Sequence, residues 1–113
     1  MKSSESDIEK RLRLGVKKLG GLCLKWVSPG FTGVPDRIIL LPGGRVVFAE
    51  LKAPGKQERP RQRIVQEALR YLGFIVYSGV DSKEKVDRIL ASLLTRQMTP
   101  ESYTAAGDDA NEV

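Results

Sequence analysis

Apolar positions fall into two different periods along this chain, and the switches between them mark its elements. Ile8, Leu12, Val16 and Leu19 recur at helical spacing, which predicts a helix over about residues 5–18 that stops at Gly20-Gly21. Within it, Ser6 and Glu9 have the spacing of a capping box. Leu22 to Val27 alternates weakly and reads as a first strand, and Ser28-Pro29-Gly30-Phe31-Thr32-Gly33 reads as a loop. Two runs rich in Ile, Val, Leu and Phe follow, about 37–41 and 46–52, separated by Pro42-Gly43-Gly44; together they predict a hairpin. Pro60 suits a first helical turn, and Ile64, Val65, Ala68, Leu69 and Leu72 form a stripe that ends at Gly73. Phe74 to Ser78 predicts a fourth strand. Asp81-Ser82-Lys83-Glu84 opens a last helix with Val86, Ile89, Leu90, Leu93 and Leu94 facing inward.

The order α-β-β-β-α-β-α implies an α/β fold. The helix between the third and fourth strands requires a crossover onto the same sheet, which gives a mixed sheet flanked by helices. Residues 1–96 form one expected domain, and 97–113 an acidic, mobile tail. With 113 residues the chain supports one modest core. A hydrophobic share of 41% with 29% charged residues fits a globular protein. No apolar run approaches a membrane span and no signal-peptide pattern is visible, so the expected location is cytoplasmic.

Charge sharpens this picture. Net charge is +5, but residues 97–113 carry four acids and no Lys or Arg, so residues 1–96 hold 19 basic and 10 acidic side chains, or +9. A body this basic points to a polyanionic partner, most simply nucleic acid. The chain has no histidine and a single cysteine, Cys23, which excludes His-based triads, His general bases and the usual zinc sites. Chemistry is left to carboxylates, lysine, hydroxyls or a metal held by oxygen.

Glu50 and Lys52 interrupt an apolar strand two residues apart and so project from one face. Asp36 stands at the start of the partner strand. Two carboxylates and a lysine at one sheet edge suit metal-assisted phosphodiester hydrolysis with Mg²⁺ or Mn²⁺, hard cations that prefer oxygen, with the Leu51 carbonyl a further ligand. Parity poses a condition. A hairpin turning symmetrically about Gly43-Gly44 puts Glu50 opposite Arg37 and sends Asp36 to the other face. The site therefore requires a bulge or strand end near Asp36, or an odd-length loop between Pro42 and Arg45.

Gly33-Val34-Pro35-Asp36 followed by Glu50-Leu51-Lys52 resembles the Pro-Asp…Glu-x-Lys signature of the PD-(D/E)XK nuclease superfamily. With Lys25-Trp26-Val27-Ser28-Pro29-Gly30, Pro42-Gly43-Gly44, the Glu-Leu-Lys-Ala-Pro-Gly run and Gln62, the chain is similar, over roughly residues 5–92, to the VRR-NUC domain in its short stand-alone phage and bacterial form. The resemblance implies a metal-dependent endonuclease working in a bacterial host cell. It makes Asp36 and Glu50 metal ligands, Lys52 the catalytic lysine and Gln62 a neighbour of the site. It also implies an acid on the first helix that approaches the metal, matched to Glu9, with Glu5 one turn away. Lys25, Lys56, Arg59, Arg61 and Arg63 flank the site and are expected to contact DNA phosphates. The expected substrate is branched or flapped DNA, cut in the manner of a homodimeric Holliday-junction resolvase. The alternatives are a non-catalytic basic DNA-binding module and a flap or restriction-type endonuclease.

Overall fold

The structure, a computed structural model, describes residues 4–97, so the expected tail lies outside the described residues except for Gln97. Helix α1 (Glu5–Lys18) leads into β1 (Leu22–Lys25), β2 (Arg37–Leu41) and β3 (Arg45–Leu51); α2 (Pro60–Tyr71), β4 (Ile75–Val80) and α3 (Lys83–Gln97) complete the chain. The capping box is at Ser4 and Asp7 rather than at Ser6 and Glu9. Ser4 Oγ accepts the Asp7 N–H at 3.1 Å, and the Asp7 carboxylate accepts the Ser4 N–H at 3.2 Å. The N-cap lies just outside the first helical residue; Ser4 is extended and Glu5 already helical, so a Ser6 cap would fall inside the helix.

The four strands form one sheet in the order β1-β2-β3-β4, antiparallel until the last pair, which is parallel. One face, made by Cys23, Ile39, Leu41, Val47, Ala49, Leu51 and Val80, packs on Ile8, Leu12 and Val16 of α1 and Val86, Ile89 and Leu93 of α3. The pairs Arg11–Asp87 and Gly15–Leu90 show α1 and α3 running in the same direction. Gly15 lets the Leu90 side chain lie directly against α1, in space that a Cβ there would occupy.

The opposite face is aromatic and partly polar. Phe48 lies between Trp26, at 5.2 Å, and Phe74, at 5.4 Å between ring centroids. Helix α2 covers this face beside β4, where Val65 and Gln66 are buried. β4 runs two residues past the expected end, and the extension holds an irregularity: Ala49 pairs with Tyr77 but Leu51 pairs with Val80. Two residues, Ser78 and Gly79, thus oppose Glu50, and Gly79 takes a φ of +59°. The extra residue lets Ser78 face α2 while Val80 still enters the core.

Candidate active site

The hairpin turn resolves the parity condition. Leu41 pairs with Arg45, so the connection is the three residues 42–44, with φ of +82° at Gly43 and +73° at Gly44, conformations that only glycine adopts without strain. An odd loop shifts the register by one. Arg37 pairs with Ala49, and one step further Asp36 stands opposite Glu50, on the same face of the sheet.

The two acids hold one another in place. Glu50 Oε1 accepts the Asp36 N–H at 3.1 Å, and Asp36 Oδ2 accepts the Leu51 N–H at 2.8 Å. Glu50 Oε2 receives Lys52 Nζ at 2.9 Å and Gln62 Nε2 at 2.7 Å. Gln62 Oε1 closes the ring by accepting from Lys52 Nζ at 2.8 Å, and it also accepts the Arg59 N–H at 3.1 Å. Gln62 therefore caps the first turn of α2 and orients the lysine with a single amide. Pro60 starts the helix there at no cost in donors.

Burial at 1% exposure pushes the Glu50 carboxyl up, and nearby Asp36 pushes it the same way; the bond from Lys52 pulls it down. A pair of crowded carboxylates is the usual setting for a cation. Among the described residues no three His, Cys, Asp or Glu side chains cluster closely enough to hold a metal. The groups able to hold one here are the Asp36 and Glu50 carboxylates and the Leu51 carbonyl, which leaves the strand on the same side as the N–H that meets Asp36. All are oxygen donors, which suits Mg²⁺ or Mn²⁺.

The acids open into a cleft of about 280 Å³ bordered by Asp36, Glu50, Lys52, Gln62 and the 53–59 connection. Glu5, at the first turn of α1, lines it as well. Glu9, the acid matched from sequence, does not. It lies on the α1 side of the sheet, ion-paired with Arg37 at 2.9 Å and Arg13 at 3.2 Å.

No family model matches the chain. It is 52% identical over 58 residues to a curated phage protein named "Putative nuclease p44", from Acyrthosiphon pisum secondary endosymbiont phage 1; the match covers 51% of this chain and 62% of that relative's length. A solved structure described as a VRR_NUC domain superposes with a TM-score of 0.71 at 27% identity, over 79% of this chain and 97% of its own. The chain has the VRR-NUC fold.

Of the basic residues expected at the rim of this VRR-NUC fold, Lys56 and Arg59 line the cleft of the two acids. Arg61 instead turns to the 28–34 loop, donating from Nε to the Thr32 carbonyl at 3.2 Å and lying 4.9 Å over the Phe31 ring. Lys25 and Arg63 are exposed and do not border the cleft of the two acids. Sequence reasoning missed a second polar cluster one turn along α2. Gln66, 1% exposed, accepts from Ser78 Oγ and donates to Glu58 Oε1 at 3.4 Å, while Arg70 bonds Ser78 Oγ at 2.6 Å and the Val76 carbonyl at 2.8 Å. The spacing Gln62, Gln66, Arg70 is a visible polar stripe, but nothing in it marks that face as the buried one.

Proposed function

We propose that this chain is a metal-dependent endonuclease that hydrolyses phosphodiester bonds in structured DNA, with the behaviour of a Holliday-junction resolvase. One observation carries the reading: Glu50, Lys52 and Gln62 close a hydrogen-bonded ring at the floor of an open cleft, and Asp36 is tied to Glu50 beside it. The relative's name, a nuclease, and the basic body agree with it.

Asp36, Glu50 and the Leu51 carbonyl would hold Mg²⁺ or Mn²⁺. When bound, the ion supplies Lewis acidity toward the scissile phosphate and lowers the pKa of a coordinated water. Lys52 neutralises charge that builds on the phosphate and orients the attacking water. Gln62 fixes the lysine's direction, and Glu5 adds negative charge at the cleft mouth. Lys56 and Arg59 grip phosphates without reading bases. Two copies give two cleavage sites for a four-way junction. The groove between α1 and α3, where Leu14 and Leu94 remain exposed, is the surface that would join them. No helix among the described residues is long and apolar enough to cross a membrane, and the bacterial cytoplasm is the proposed place of action.

Labelled four-way junction, flap and linear duplex are incubated with wild type or Lys52→Ala under Mg²⁺, Mn²⁺ or EDTA. Metal-dependent cutting of the junction that vanishes in Lys52→Ala is the expected result. Binding without cutting under either metal would reject the enzyme in favour of a DNA-binding module. Sedimentation of the active protein as a monomer would remove the dimer.

A further inference from the structure

We propose that the cleft between the 28–34 loop and the first turn of α2 receives an unpaired nucleobase of the strand being cut, stacked on Phe31. The proposal rests on the endonuclease reading and adds to it the feature of DNA that the site selects. The cleft measures about 360 Å³ and is bordered by Ser28, Phe31, Thr32 and Arg61; Arg59 and Gln62 border it too, and both also line the cleft of the two acids. A strand whose phosphate lies over Glu50 and Lys52 therefore reaches this pocket with its adjoining nucleotide.

Phe31 is 53% exposed, so part of its ring is free to meet a ligand. The Arg61 guanidinium lies 4.9 Å from its centroid; it steadies the ring and adds positive charge beside a base and its phosphate. Trp26, the other aromatic near this edge, is already stacked with Phe48 and belongs to the sheet.

The pocket is also built in advance. Gly33 has a φ of +89°, and a Cβ at that position would come within 2.7 Å of Arg61 Cγ and 3.0 Å of the Arg61 carbonyl oxygen. The loop thus seats on α2 by a backbone approach open only to glycine, reinforced by the bond from Arg61 to Thr32. Because Arg61 and Gln62 are neighbours, Phe31 is positioned relative to the catalytic ring. A paired base is covered on both faces by its neighbours in the duplex, whereas an unpaired base has a face to offer. Stacking is indifferent to base identity, so the pocket selects flaps, and a four-way junction only where a base beside its branch comes unpaired, rather than sequence.

The test uses 2-aminopurine at the unpaired position beside the branch of a flap, a fully paired duplex of equal length as control, and the full chain in EDTA so that no cutting intervenes. Wild type is expected to quench the probe. Phe31→Ala and Phe31→Leu should lose the quench and bind the flap about tenfold more weakly, with duplex affinity unchanged, and Phe31→Tyr should restore both. Persistent quenching in Phe31→Ala, or equal weakening on flap and duplex, would overturn the proposal. Wild type that quenches the probe yet cuts no DNA with Mg²⁺ or Mn²⁺ would support the stacking pocket and reject the endonuclease.

Discussion

Glu50 is buried beside a second acid, and its negative charge is tolerated because Lys52 and Gln62 meet it directly. Removing the ammonium leaves that charge with the Gln62 amide, the Asp36 N–H and a repelling carboxylate. Lys52→Ala should thus lower stability in EDTA by about 2 kcal/mol, less than the roughly 3–5 kcal/mol of a fully buried pair because Lys52 keeps some solvent contact, and cut cleavage by at least about a hundredfold. Urea melts and single-turnover assays measure the two effects separately. Cys23 offers a residue-scale test of the fold alone. Burial pushes its thiol from 9.0 up to about 11. Between those values the unfolded chain has released a proton that the folded chain keeps, so stability is full below pH 9 and falls as pH rises toward 11. Cys23→Ala should flatten this part of the wild-type curve, as urea midpoints at the two ends of the window would report.

At the scale of elements, α1 does two jobs at its two ends. Its first turn presents Glu5 to the cleft, while one turn later Glu9 is held by Arg37 and Arg13 on the other side of the sheet. Glu5→Gln should accordingly weaken Mn²⁺ binding or cleavage, and Glu9→Gln should leave both near wild type with a small loss of stability; calorimetric titration and initial rates distinguish the two acids. Deeper in the helix, Gly15 admits Leu90 of α3. Gly15→Val displaces the Leu90 side chain from its place against α1 and should destabilise by about 1–2 kcal/mol, beyond what helix propensity returns. The helical period alone makes Glu5 and Glu9 nearly equivalent, since they lie one turn apart on neighbouring parts of the same surface. Which of them meets the acids depends on where α1 crosses the sheet, and that is a tertiary fact.

On the scale of the whole molecule, the cleft joins three segments far apart in sequence: the entry to β2, the end of β3 and the start of α2. A cation bound there would link them, and it should raise the melting temperature of the folded chain in proportion to the logarithm of its concentration. Asp36→Asn should abolish the rise for both Mg²⁺ and Mn²⁺ in a thermal-shift measurement. An equal rise in that variant would place the ion elsewhere. The bulge at Ser78-Gly79 lies opposite Glu50, so the sheet changes its pairing at the level of the candidate chemistry. Gln66 and Arg70 tie that irregularity to α2.

The amino-acid sequence by itself determined the element order and the hairpin, because periodicity and turn residues are local properties, and its resemblance to the VRR-NUC pattern singled out Asp36, Glu50, Lys52 and Gln62 as the candidate site. It also reduced the register to a short set of options by parity. Only the tertiary structure chose among them, through the three-residue turn at Pro42-Gly43-Gly44 that sets Asp36 across from Glu50. It likewise decided for Glu5 over Glu9 at the cleft, buried Gln66 against Ser78, and seated Phe31 under Arg61. Each of these depends on how one element crosses another, which is set by packing between residues distant in the chain.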